Sequence, residues 1–253
     1  RAIFEADFNI IEAENGEVGY NKALEYTPDI IISDVMMPVK DGVTMTKELR
    51  SNVTTSHVLI VLLTAKTNVE SRIKGIELGA NDYITKPFSS TYLKVRVENL
   101  IDQRRKMQKH FSESVTQRKA KSTDKGEKEF SEQMLTLHDQ KFITKLTELM
   151  EQNLDNAELM VEDLALDLNM CRSVFFNKIK SLFGKSPVEF IREMRMKKAA
   201  ELIESDEYSI AEISDMVGYN DPHYFSKCFK QVFSCTPTKY KEQHKRAKNV
   251  GLN

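Results

Sequence analysis

Asp29-Ile30-Ile31-Ile32-Ser33-Asp34-Val35-Met36-Met37-Pro38 decides the fold of the first hundred residues. An isoleucine-rich run leads into a lone carboxylate, which reads as a buried strand ending in a polar residue. The same form recurs downstream. Val61-Leu62-Leu63 leads into Thr64, and Tyr83-Ile84-Thr85 leads into Lys86-Pro87. Working outward, short strands are expected at Asn9–Ile11, Asp29–Ser33, Val58–Leu63 and Asp82–Ile84. Helical stretches lie between them at Glu17–Tyr26, Val43–Ser51 and Val69–Leu78, the last stopped by Gly79. Strands alternating with helices imply a parallel, doubly wound α/β sheet with helices on both faces. A long helix from about Ser89 should dissolve at Arg104-Arg105-Lys106.

In such sheets the chemistry sits at the carboxyl ends of the strands. A carboxylate, a hydroxyl and an ammonium would converge there. Asp34 could be a nucleophile that forms an acyl phosphate. Thr64 could hydrogen-bond a phosphoryl oxygen and Lys86 could neutralise it. Pro87 allows a cis peptide after Lys86. Taken singly, an aspartate at a strand end also suits a turn or cap, and a Lys-Pro pair also suits a loop. The joint pattern carries the reading.

Composition narrows the classes. The chain has 253 residues, with 37 basic against 38 acidic groups, and 40% of it is hydrophobic. The longest apolar run, Val58 to Leu63, is far too short to span a bilayer, and no signal peptide opens the chain. Cys171, Cys228 and Cys235 have no metal-ligand spacing and fit a reducing compartment. Charge is segregated. Residues 1–100 carry 11 basic and 14 acidic groups, residues 151–171 carry none and six, and residues 172–253 carry 15 and ten. The basic C-terminal region fits a nucleic-acid partner or an ordinary solvated surface equally well. Residues 117–132 hold nine charged groups and read as a linker. From His138 onward the pattern is helical. The expected division is therefore 1–105, a charged connector at 106–137, and an all-α region at 138–253.

That all-α region contains a repeat. Phe175, Lys180, Phe183, Ser186 and Pro187 return as Phe225, Lys230, Phe233, Thr236 and Pro237, at an offset of 50. Leu164–Leu168 returns as Ile213–Val217 at an offset of 49. A short helix, a tight turn and a longer helix thus occur twice, a twofold helix-turn-helix at about 161–183 and 210–233. In the first copy Phe175, Ile179 and Leu182 should face the core, leaving Arg172, Ser173, Phe176, Asn177 and Lys180 outside. In the second, Phe225, Phe229 and Val232 should face inward, leaving His223, Ser226, Lys227 and Lys230 outside. Such faces suit phosphates and base edges in a major groove, although one such helix alone would read as a solvated face. Phe176 could pack locally or touch a thymine methyl.

Two family resemblances rest on these residues. Residues 29–38, Asp41-Gly42, Thr64-Ala65, Gly79-Ala80-Asn81-Asp82-Tyr83 and Lys86-Pro87-Phe88 resemble the receiver domain of two-component response regulators. The spacings match: 30 residues from Asp34 to Thr64, 19 on to Tyr83 and three more to Lys86. The resemblance implies a phosphoryl group on Asp34, delivered by a histidine kinase or phosphotransfer domain, and a switch in which Thr64 and Tyr83 move inward. It implies Mg²⁺ bound by Asp34, the Met36 carbonyl and an acidic pair ending a first strand. No such pair precedes Arg1, so the receiver reads as N-terminally truncated, and Mg²⁺ is expected only with that strand present. The second region resembles the AraC/XylS-type DNA-binding domain through Ile210-Ala211-Glu212-Ile213, Val217-Gly218-Tyr219, Tyr224-Phe225-Ser226-Lys227 and Thr236-Pro237. That implies double-stranded DNA as partner, with two recognition helices in successive major grooves. Cys171 stands where Ser is common, a weaker N-cap. Together the regions resemble the cytoplasmic end of a hybrid two-component regulator that acts as a homodimer. Its full-length parent would carry histidine kinase activity, whereas this segment would only accept a phosphoryl group. The rival reading is a regulator whose receiver is a phosphorylation-independent dimerisation or docking module.

Overall fold

Ile30–Asp34 (β1), Leu59–Thr64 (β2) and Asp82–Thr85 (β3) form a parallel sheet in the order β1-β2-β3. The computed structural model describes residues 3–65, 79–116 and 135–250, and the expected helix at Val69–Leu78 lies outside them. β2 is central, and residues Leu59 to Leu62 are buried on both faces. Alternation sends Ile60 and Leu62 to one side, against Ala23, Met45, Leu49 and Tyr83. It sends Leu59 and Val61 to the other, against Ile84, Leu93, Val97 and Leu100. The first layer is built on Gly16–Tyr26 (α1) and Gly42–Ser51 (α2), the second on Ser90–Thr116 (α3). Helices on both faces of a parallel sheet are the doubly wound arrangement expected from the alternation of elements.

Local chemistry sets the helix starts. Asn15 Oδ1 accepts from the Val18 amide at 2.9 Å and Asp41 Oδ1 from the Thr44 amide at 2.6 Å, so α1 and α2 begin one residue after a capping oxygen. Two expectations fail. Asn9–Ile11 is not a strand, because an extended segment becomes one only when a neighbour takes its amides and carbonyls, and none of the described residues does. The long helix does not dissolve at Arg104-Arg105-Lys106 but runs to Thr116. Its inner face is still served there: Met107 is buried, and Arg104 donates to the His57 carbonyl at 2.6 Å.

The described residues fall into two units. Residues 3–65, 79–108 and 135–142 form the first, and 109–116 and 143–250 the second. Within the first, Arg50 closes the corner opposite the strand ends. It donates to the carbonyls of Gly79, Ser56 and Val58 and to Asn81 Oδ1, at 2.6 to 2.9 Å. Burial lowers its guanidinium pKa to about 10. Asp139, 1% exposed, lies near this charge and that of Arg104. Its carboxylate accepts from Ser56 Oγ and Thr136 Oγ1, both at 2.7 Å.

The second unit is helical. It contains most of Leu137–Gln152 (α4), then Val161–Asp167 (α5), Arg172–Phe183 (α6), Pro187–Ser205 (α7), Ile210–Met216 (α8), Pro222–Phe233 (α9) and Pro237–Val250 (α10). Ser186 and Ser209 each close a capping box, with Glu189 and Glu212 respectively. Cys171 opens α6 without a side-chain cap bond. The core around α9 joins Phe225 and Phe229 to Met196, Ala199, Ile203, Ile213 and Val217.

Four substitutions should change stability. Asp139→Ala should destabilise by about 2 kcal/mol or more, because buried donors and guanidinium charges lose their anion; urea melts followed by a probe in the first unit check this. Ser186→Ala should cost about 1 kcal/mol while Cys171→Ser raises the midpoint, since one removes a cap and the other supplies one. Val39 occupies the left-handed region at φ 66, so Val39→Gly should stabilise by about 1 kcal/mol in the same melts.

Candidate functional site

Parallel register brings the three strand ends to one rim. Asp34 ends β1, Thr64 ends β2, and Lys86 follows β3. The ladder runs one residue further on each side: the Val35 amide donates to the Leu63 carbonyl at 2.8 Å and the Lys86 amide to the Thr64 carbonyl at 2.6 Å. With both backbones held, the Lys86 ammonium reaches the Asp34 Oδ2 as a direct ion pair. The Met36 amide donates to Asp34 Oδ1 at 3.3 Å. Asp34 and Lys86 are 37% and 39% exposed, whereas Thr64 is buried below the rim. The Lys86-Pro87 peptide is cis, as the sequence allows.

Opposed effects set the charge of Asp34. Partial burial pushes its pKa up, but the Lys86 ammonium and the amides of Met36 and Val35 outweigh that and hold the carboxyl below the ordinary aspartate range. Asp34 is therefore an anion at neutral pH, with its carboxylate partly exposed at the surface. Gly42 is required by close approach. Its amide donates to the Val35 carbonyl at 3.0 Å, and a Cβ there would lie 2.1 Å from the Asp34 carbonyl oxygen. The sequence showed an Asp-Gly pair, but not the backbone it would meet.

Tyr83 is 7% exposed and packed with Ala23, Met45 and Leu62. The Mg²⁺ expectation meets a thin donor set. Asp34 and the Met36 carbonyl offer too few oxygens for an octahedral ion. Among the described residues no cluster of three or more His, Cys, Asp or Glu side chains could hold a metal. The residues present do not fit a Mg²⁺ site by themselves.

The second unit sorts its helix faces largely as the periodicity requires. On α6, Phe175, Ile179 and Leu182 are buried, and Arg172, Ser173, Phe176, Asn177 and Lys180 are exposed. Phe176 is 40% exposed on that polar face, which settles its orientation. Arg172 Nε lies 3.0 Å from Glu162 of α5. On α9, His223, Lys227 and Lys230 are exposed, while Ser226 is only half-exposed. Exposed Tyr224, part of the Tyr224–Lys227 signature but given no contact of its own in the sequence reading, joins this face. At the start of α6 the hydroxyl of Ser173 and the nearby Val174 amide hold the Cys171 thiol below its usual pKa. Arg195 and Asp139, both buried polar anchors, gave no motif signal, because Arg195 meets distant backbone carbonyls and Asp139 pairs the local Thr136 with the distant Ser56.

Comparison with known proteins agrees with both halves. A profile described as response regulator receiver domain matches residues 1–98, and one described as helix-turn-helix domain matches residues 164–243. Histidine kinase P4 of Formosa agariphila is 34% identical over 94% of this chain, which covers 17% of that protein. Transcriptional regulatory protein RprY of Bacteroides fragilis is 36% identical over 64% of this chain and 67% of its own. The C-terminal domain of AraT, a response regulator from Geobacillus stearothermophilus, aligns at 32% identity and a TM-score of 0.38, covering 40% of this chain and 84% of that one. The chain thus spans about a sixth of one curated relative and about two thirds of the other. Among the described residues no helix is long and apolar enough to cross a membrane. With a receiver profile on the first unit and a helix-turn-helix profile on the second, the chain belongs to the transcriptional response regulators of two-component systems.

Proposed function

We propose that phosphoryl transfer to Asp34 controls sequence-selective DNA binding by α6 and α9. The observation that carries this reading is the half-exposed Asp34 carboxylate, held anionic beside Lys86 at the strand-end rim. In the proposed step an Asp34 oxygen attacks the phosphorus of a phosphohistidine. A P–O bond forms, the P–N bond breaks, and the imidazole leaves and takes a proton from water. Lys86 is placed to neutralise the incoming phosphoryl oxygens, and buried Thr64 would take one of them as a hydrogen-bond acceptor. Asp34 and the Met36 carbonyl would supply two oxygens to a metal that needs further donors, so no step is assigned to one.

The kinase partner, the phosphotransfer route and homodimerisation belong to this proposal too. Dimers would raise the effective DNA affinity of the tethered units. On DNA, Arg172, Lys180, Lys227 and Lys230 are assigned to phosphates, and Ser173, Phe176, Asn177, His223 and Ser226 to base edges or local packing.

Incubation of the polypeptide as its gene encodes it with Mg²⁺ and a small phosphodonor tests the first part. Acid-labile phosphate should form on wild type, vanish in Asp34→Asn and fall by about tenfold or more in Lys86→Met. Absence of label on wild type would leave the first unit as a docking or dimerisation module. The pH dependence has a defined sign. A depressed folded pKa keeps Asp34 ionised above it, so labelling should hold down to mildly acidic pH and be lost only as pH falls through that lowered value. Lys86→Met should move the loss to higher pH. For DNA, Lys180→Ala and Lys230→Ala should each lower the slope of log affinity against log salt by about one.

A further inference from the structure

One buried guanidinium bridges the loop before the first helix-turn-helix motif and the turn of the second. Arg195 lies near the middle of α7, the helix between them, and is 8% exposed. Its Nη2 donates to the Asn156 carbonyl at 2.5 Å, in the loop that enters the first motif. Its Nη1 donates to the Gly218 carbonyl at 3.2 Å, in the turn of the second motif. Its Cζ lies 5.6 Å from the Tyr219 ring centroid, in that same turn. The two loops also meet there. Gly218 holds φ +74, and a Cβ on it would stand 2.8 Å from the Leu154 carbonyl oxygen and 3.1 Å from the guanidinium.

This arrangement is a costly way to fill a core. Desolvation lowers the Arg195 pKa, and its buried Nε finds no hydrogen-bond partner among the described residues. Hydrophobic side chains of similar volume often stabilise such a place as well or better. What they lack is a rigid planar fork that fixes two carbonyls relative to each other. One of the carbonyls joined here lies in the loop leading into the first motif, the other in the turn of the second. Two recognition helices gain from simultaneous contact only if the joint between them presents the right span.

Resting on the DNA-binding reading above, we propose that Arg195 is a positioning residue that sets the spacing of α6 and α9, and so the spacing of the two half-sites read on DNA. Buried, it touches no DNA itself. It acts through the loops that carry each motif.

The test uses the full 253-residue chain. The probes are a duplex selected from random-sequence DNA by wild type, derivatives with one or two base pairs inserted or removed between the half-sites, and single half-site duplexes. Wild type should peak at the selected spacing and lose roughly tenfold per inserted pair. Arg195→Lys keeps the charge without the fork. It should lose about tenfold at the peak, flatten the profile to within about threefold, and leave half-site affinity unchanged. Gly218→Ala perturbs the same joint from the other side and should flatten the profile too, and circular dichroism reports the folded fraction of each variant. A profile of unchanged shape, lowered evenly at every spacing, would make Arg195 merely structural and overturn the proposal. Failure of wild type to select any sequence would instead sink the DNA-binding reading, and the proposal with it.

Discussion

Parallel strands all end at the same rim, and the first unit depends on that constraint. β1, β2 and β3 run in one direction, so Asp34, Thr64 and Lys86 arrive together although 52 residues separate the first from the last. An antiparallel neighbour would have sent its carboxyl end to the opposite edge. The register then sets reach: ladder bonds at Val35 and Lys86 hold both backbones just beyond the β2 end. The Lys86 ammonium spans what remains. The ion pair that keeps Asp34 anionic is thus a product of sheet topology rather than of local sequence.

The opposite end of the same sheet is governed by buried charge. Arg50 gathers the carbonyls of Ser56, Val58 and Gly79, and Asp139 lies near it with both carboxylate oxygens accepting from hydroxyls. Such a cluster is tolerated because nearly every donor and acceptor in it is matched. The second unit uses the same device at Arg195, where a single cation holds the loop before the first motif and the turn of the second. In both units apolar layers supply the bulk of the packing, while forked arginines choose which backbone segments meet. This division follows from directionality: dispersion and hydrophobic burial are indifferent to small rotations, whereas bidentate hydrogen bonds are not.

The helix-turn-helix repeat shows how one pattern can be read at two levels. Phe175 and Phe225 are both buried, as are Ile179 and Phe229, so the offset of 50 residues is a repeat of core positions. The exposed faces are not copies. α6 presents Asn177 and Phe176 where α9 presents Lys227 and half-buried Ser226. Equivalent packing with different outward chemistry means that the two helices share a core role and differ only at the surface.

The amino-acid sequence by itself determined the strands at Ile30, Leu59 and Asp82, the paired helical motifs and their inward phenylalanines, because strand and helix periodicity are properties of neighbouring residues. It also determined the rim residues, through spacing. It misjudged Asn9–Ile11, since strand character there needs a partner that no local signal reports. It misjudged the end of α3, since a charged surface at Arg104–Lys106 is compatible with a helix whose other face is still buried. Only the tertiary structure decided that Tyr83 lies inward, that Gly42 must lack a side chain, and that Asp139 and Arg195 are anchors. Each of those depends on atoms brought close by folding from distant points in the chain, and contacts of that kind leave no periodicity to read.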